Sequence, residues 1–290
     1  MESTITDFIK YLEQVKGASK STVMSYQRDL KKLFAFLRSK GIGQLTDVTP
    51  TSLNSYVLFL EREGFSAATV SRHIASMKSY FHYMFRHHRV MEDPSETIRA
   101  PHIEKKEPEI LTRQEVRDFL EAPVCDTPKG CRDKAMLELL YATGMRVSEL
   151  LAVQVGDVNL EMNYIVCRDG AKERVIPFGE GVKRALQHYA DDMRGELLKE
   201  KESSYFFVNC SGGVMSRQGF WKLIKQYAGK ARIIKDITPH TLRHSFAVHL
   251  VQNGTELKAV QEILGHSDIS TTQMYLHFHS DEQIYRKACP

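Results

Sequence analysis

The sequence predicts a mainly α-helical protein with a small β component, divided into two domains. Its 290 residues exceed one typical domain. From Ile5 to His88 the apolar residues recur at helical spacing. A charged stretch with three prolines, MEDPSETIRAPHIEKKEPEI, then breaks the pattern, and beyond it helical segments alternate with short β patterns. The expected division is residues 1–92, a linker over 93–110, and residues 111–290.

In the first domain, Ile5, Phe8, Ile9, Leu12 and Val15 form one helical stripe. Tyr26, Leu30, Leu33, Phe34 and Leu37 form the next, on a helix from Lys20. Thr49 and Pro50 open a third helix that Gly64 ends, and Ser66 caps a fourth running to His88. In the second domain Thr112 caps a short helix, and a helix over Asp133–Thr143 stops at Gly144. NYIVCR and RVIPF are short strands joined by DGAKE, whose Asp-Gly is a hairpin signal. YFFVN is expected as a further strand. Helices follow from Gly181, Ser216 and Pro239, and over Glu256–Leu264.

With 42% hydrophobic residues the chain can bury proper cores. No apolar run approaches the roughly 18 residues that a membrane span requires. The start, MESTITDFIK, lacks the basic-then-apolar order of a signal peptide, so a cytoplasmic location is expected. Five scattered cysteines without a CxxC pair are expected as reduced thiols, neither a disulfide framework nor a zinc site. The net charge of +4 is unevenly spread. Residues 1–105 hold 15 Lys and Arg against 11 Asp and Glu, and the remainder hold 25 of each. A polyanionic partner is therefore more plausible for the first third, although a solvated basic face is equally common.

PHTLRHSFAVHL, Pro239 to Leu250, carries three histidines and an arginine on one helix. His240, Arg243 and His244 share a stripe beside an apolar one of Leu242, Phe246 and Leu250. A metal site, a core helix and a phosphate grip all fit this pattern. His240 and His244 have the i, i+4 spacing of a zinc helix, but the HExxH glutamate and an acidic third ligand are missing. No metal is expected. His244 and His249 are expected to be structural.

Together with ATGMRVSELL, LGHSDISTTQMYLHF and the hairpin RDGAKERVIPF, this segment resembles the tyrosine recombinase (phage integrase) family, in particular the short Xer-like recombinases. SKSTVMSYQRDLKKLFAFL and SAATVSRHIASMKSYFHYMF resemble that family's helical core-binding (SAM-like) domain, so the resemblance spans nearly the whole chain. It implies an N-terminal helical core-binding domain and a C-terminal α+β catalytic domain. It also implies cofactor-free cutting and rejoining of DNA by four protomers, identical or of two kinds, on duplex recombination sites. Arg146 and Arg243 would stabilise the charged phosphorane, each with an always-charged fork of donors. Tyr275 would be the nucleophile, His240 the base and His266 a second donor to the phosphate. Glu149 is expected to brace Arg146. Helices two and four of the first domain would face DNA through Arg72 and Lys78.

One position departs from the family. Its hairpin commonly has Gly-Lys-Gly-x-Lys-Glu-Arg, whose first lysine is the general acid, and here Asp169 stands in that lysine's place. Lys172 is the expected substitute, because Arg168 scarcely gives up a proton. With no room for an arm-binding domain ahead of the first helix, chromosome dimer resolution is expected. A minimal mobile-element integrase, a related topoisomerase and a catalytically weak DNA-binding relative are the alternatives.

Overall fold

The computed structural model describes residues 2–102, 108–169 and 172–276. It divides into two compact units, Met1–Lys106 and Glu107–Pro290. Among the described residues no helix is long and apolar enough to cross a membrane. The short amphipathic tail DEQIYRKACP, 281–290, which by its sequence suits docking on a neighbouring protomer, lies outside the described residues, Cys289 with it.

The first unit holds helices α1 (Glu2–Gln14), α2 (Lys20–Ser39), α3 (Pro50–Arg62) and α4 (Ala67–Arg86). Each starts and stops for local reasons. Ser19, Thr49 and Ser66 accept from backbone N–H groups of the first turns of α2, α3 and α4, and Pro50 sits where its missing N–H costs nothing. The apolar stripes meet in one core that includes Phe8, Leu33, Phe34, Leu53, Tyr80 and Phe81. Ile98 is buried in the same core, and Asp93 accepts from the backbone N–H and the hydroxyl of Ser95. The first unit's packing therefore continues into the stretch expected as linker.

The second unit begins with α5 (Arg113–Glu121), α6 (Pro128–Thr143) and α7 (Val147–Ala152). Three antiparallel strands follow in sequence order: β1 (Val158–Asn159), β2 (Tyr164–Asp169) and β3 (Lys172–Pro177). Ile165 pairs with Ile176 and Asp169 with Lys172. Ile165, Cys167 and Ile176 face the core. Then come α8 (Glu180–His188), a π-helical turn over Tyr189–Met193, α9 (Arg194–Leu198), α10 (Arg217–Lys230), α11 (Pro239–Gln252), α12 (Leu257–Leu264), α13 (Ser270–Gln273) and a 3-10 turn over Met274–Leu276.

Three sequence expectations are corrected. YFFVN is not a strand of the sheet: Tyr205 and Val208 make isolated bridges to Gln154 and Val214, and the sheet is completed by Val158–Asn159. Helix α6 starts at Pro128, five residues before the expected Asp133. Thr127 caps it through Gly130 N, the same Thr-Pro start that opens α3 and α11. Cys125 and Cys131 are joined as a disulfide, with Cα atoms 4.4 Å apart. The turn before Pro128 folds back on the first turn of α6, which a search for CxxC spacing does not see.

Candidate active site

Three arginines meet where α6 and α12 end. Gly144 and Gly265 close these helices in the left-handed region, at φ 57° and 67°. At Gly144 a Cβ would also meet the Phe246 ring at 2.4 Å. Helix ends expose carbonyl oxygens without helical partners, and the arginines use them. Arg243 donates from Nη1 to Gly144 O at 2.6 Å and from Nη2 to Leu264 O at 2.7 Å. Arg146 Nη2 donates to Gly265 O at 3.2 Å, and Arg174 Nε donates to Ile263 O at 2.9 Å. The negative ends of two helices thereby hold three positive charges side by side.

Glu149 orders two of these side chains, as expected for Arg146. Its carboxylate accepts both terminal nitrogens of Arg174 at 2.8 Å, the backbone N–H of Arg146 at 2.6 Å and Arg146 Nη1 at 3.1 Å. Burial alone would raise this carboxyl's pKa, but the hydrogen bonds and charges of Arg174 and Arg146 hold it below the usual range. It remains an anion at neutral pH and fixes the arginines in register.

As a phosphate grip, α11 would pack Leu242, Phe246 and Leu250 inward and present His240 and Arg243 to the ligand. The helix is instead buried on most faces, with Thr241, Arg243, Ser245 and His249 inside along with Leu242, Phe246 and Val251. Arg243 is 6% exposed. Burial, followed by the repulsion of Arg146, brings its pKa down to about 10, so it is still charged at neutral pH. His249 is structural as expected, 2.7 Å from Tyr141 Oη through Nδ1.

Tyr275 is 1% exposed, and its Oη lies 2.7 Å from His244 Nδ1. His244 is expected to be structural, and its partner Tyr275 is one that the sequence does not name. Burial raises the phenol's pKa against the opposing charge of Arg243. Burial, then His240 and Arg243, lower the His244 pKa to about 4, leaving it neutral at physiological pH. His240 is exposed one turn earlier, with its ring centre 6.4 Å from that of His244. The tyrosine is therefore held by the inner histidine and not the outer one.

His266 follows Gly265 directly and shares a hydrogen bond of 2.9 Å between its Nδ1 and Thr272 Oγ1. Burial and the charges of Arg243 and Arg146 bring its pKa down to about 4. It lines a cleft of about 350 Å³ with Lys172, Asp169 and Arg174. A neighbouring cleft of about 440 Å³ is lined by Arg146, Arg243 and His240 together with Arg217 and Trp221. Arg146 links the two clefts, because its Nη1 also donates to Asp169 Oδ2 at 2.8 Å. Asp169, standing where the family has its lysine, thus engages the Arg146 guanidinium.

Arg217, Trp221 and the Arg174–Glu149 fork were not singled out from sequence. A serine-capped helix start at Ser216 was visible, but nothing in that spacing says that its first turns line the cleft. In the first unit, Arg72 donates to both oxygens of Asp29, at 2.8 and 2.9 Å, and Lys78 Nζ donates to Glu96 O at 3.1 Å. Both expected DNA contacts thus already hold intramolecular partners.

A mainly helical chain whose second unit gathers arginines, histidines and a buried tyrosine around two helix ends has the build of a DNA strand-exchange enzyme of the tyrosine type. Residues 109–282 match the phage integrase family, and residues 5–88 match the N-terminal SAM-like domain of phage integrases. The tyrosine recombinase XerD of Staphylococcus haemolyticus (strain JCSC1435) is 42% identical over 293 residues, covering 100% of this chain and 99% of that protein. The XerD of Staphylococcus saprophyticus subsp. saprophyticus is 44% identical over 278 residues, covering 96% and 94%. Among solved structures, the XerH site-specific recombinase bound to palindromic difH substrate in a post-cleavage complex shares the fold. Its TM-score is 0.76 at 22% identity, with 98% of this chain and 84% of that one covered. The chain belongs to the phage integrase family of tyrosine recombinases.

Proposed function

We propose that this chain is a cytoplasmic site-specific recombinase that resolves chromosome dimers, cutting and rejoining duplex DNA as a tetramer on two sites. The observation that carries the reading is the convergence of Arg146, Arg243 and His266 on the junction of α6 and α12, with Tyr275 packed beside α11. In the reaction, Tyr275 Oη attacks the scissile phosphorus and its proton passes to His240. The bond to the 5′ oxygen breaks, the electron pair leaves with that oxygen, and Lys172 protonates it. The 3′-phosphotyrosyl bond conserves the ester, so rejoining runs the same steps in reverse. Arg146 and Arg243 stabilise the equatorial oxygens, with His266 as a further donor. Tyr275 must leave His244 to reach phosphorus, because a buried phenol cannot meet a DNA backbone. Helices α2 and α4 of the first unit lie along DNA, where Arg72 and Lys78 contact it once their internal partners are shared or released.

A second reading, a DNA-binding family member with weak chemistry, is favoured by Asp169, which stands where the family has its lysine and grips Arg146. A nicked duplex that traps the covalent product separates the two on a denaturing gel. The enzyme reading expects a covalent band for the parent and none for Tyr275→Phe, with similar DNA affinity. Absence of the band in the parent under conditions of full binding selects the weak binder.

A further inference from the structure

Away from the arginine cluster, two sulfurs and an imidazole converge at the other end of α6. Cys131 lies on its first turn and Cys125 in the turn before it. His188, the last residue of α8, brings a ring nitrogen to them. One ligand atom from each of the three lies within 4.8 Å of the other two. The close approach is built into the backbone, since a Cβ on Gly130 would stand 2.0 Å from Val124 O. Only glycine at that position lets the Cys125 turn press against the helix.

We infer that the reduced chain binds one Zn²⁺ through Cys125 Sγ, Cys131 Sγ and His188 Nε2, with water as the fourth ligand. Zinc takes thiolates at ~2.3 Å and imidazole at ~2.0–2.1 Å in a tetrahedron, which puts two bound sulfurs roughly 3.8 Å apart. Modest side-chain rotation reaches that spacing once the sulfurs are no longer bonded to each other. Two thiolates and one imidazole form a soft donor set that suits zinc and not magnesium or calcium.

An independent feature supports the assignment. His188 Nδ1 lies 2.7 Å from Asp192 Oδ2, which leaves Nε2 for a metal. A carboxylate on the far nitrogen of a ligating histidine fixes the ring and strengthens it as a donor. Asp192 sits in the π-helical turn that follows α8, and such turns occur often at functional positions. The ion would tie the start of α6 to the end of α8, roughly 20 Å along α6 from Gly144. It shares no residue with the arginine cluster and is a structural staple.

Zinc and disulfide are alternative states of one cysteine pair. A dithiol reductant supplies two electrons and two protons to open the disulfide and is itself oxidised; zinc then displaces the thiol protons into solvent. A small-molecule disulfide takes the two electrons back, re-forms the Cys125–Cys131 bond and releases the ion. In a reducing cytoplasm the metal state prevails.

The test is titration of the full-length, reduced protein with Co²⁺, followed by displacement with Zn²⁺. The expected result is one Co²⁺ per chain with the absorption of tetrahedral thiolate coordination, abolished by Zn²⁺ and by prior oxidation. Asp192→Asn should weaken binding ~10–100-fold. His188→Gln, a change at a partly exposed helix end that leaves the fold intact, should weaken it further. Reduced protein with no tetrahedral cobalt spectrum would overturn the site, leaving the pair a disulfide alone. A spectrum and affinity unchanged by His188→Gln would overturn the ligand set.

Discussion

Two buried charges, one in each unit, are met in opposite ways. In the first, the Asp29 carboxylate is 1% exposed, but it is met by both donors of Arg72 and lies 3.3 Å from His73 Nε2. His73 Nδ1 is in turn 3.0 Å from Tyr56 Oη. That network is matched within itself and ties α2 to α4 and α3. In the second unit Arg243 is buried with its described hydrogen bonds going only to carbonyl oxygens, beside Arg146 and Arg174. Glu149 answers Arg174 fully and Arg146 in part. Among the described residues no further core carboxylate meets the remaining positive charge, and the exposed Asp169 meets Arg146 from the rim. A matched buried ion serves the fold, whereas an unmatched one is, on the proposed function, open to an anion that arrives from outside.

The strongest way to sharpen this contrast is at the leaving group, since the clamp supplies charge but no proton. Lys172→Ala should lose ~10²–10⁴-fold in cleavage of ordinary DNA. It should recover on a substrate with sulfur at the bridging 5′ position, which needs little protonation to leave. Parental cleavage of ordinary DNA by this variant would make Lys172 a mere phosphate contact. In the first unit, Asp29→Ala should cost on the order of 2–3 kcal/mol in urea unfolding, because it strands buried His73 and releases Arg72. Cleavage per bound complex should not change. A loss of chemistry with intact stability would break the division between the units.

Legibility followed the same contrast. Helices α1–α4 have one wet face and one dry face, so Leu30, Leu33, Phe34 and Leu37 announce α2 by spacing alone. Helix α11 is buried nearly all round, so no stripe could say that Arg243 and Ser245 face inward. Arg146, His240, Arg243, His266 and Tyr275 are proposed on motif resemblance, not on periodicity. Contacts across long separations were not legible, among them His244 with Tyr275 and Asp169 with Arg146. These depend on how helix ends meet in three dimensions. The Thr-Pro start at Thr127 is legible in the sequence, whereas the fold-back that joins Cys125 to Cys131 is not.

Smaller effects are expected at the rim. Asp169→Asn frees Arg146 from an exposed ion pair of the kind worth ~0.2–1 kcal/mol, so covalent product should form about one and a half to five times faster. An unchanged or slower rate would mean that Asp169 orients Arg146 instead of competing for it. Acid sensitivity is a separate effect. His244 and His266 have folded pKa values near 4 against 6.5 when free. The unfolded chain therefore takes up these protons first, and the stability held above about pH 6.5 declines as pH falls toward 4. Glu149, held below its usual carboxylate range, adds its own loss at lower pH. Urea midpoints should fall between pH 7 and pH 5, and fall less in His244→Gln. An equal fall in both would assign the acid sensitivity to other groups.

On the proposed function, the unmatched charge of Arg243 stabilises the scissile phosphate. Arg243→Ala should reduce covalent attachment to a trapping duplex by on the order of 10²–10³-fold while the protein stays folded. Replacing one non-bridging phosphate oxygen at the scissile position with a methyl group removes the negative charge that the arginine answers. On that neutral substrate Arg243→Ala should again form the covalent Tyr275 product at a rate near the parent's. A folded, DNA-bound Arg243→Ala protein that remains inert on the methylphosphonate would contradict the account.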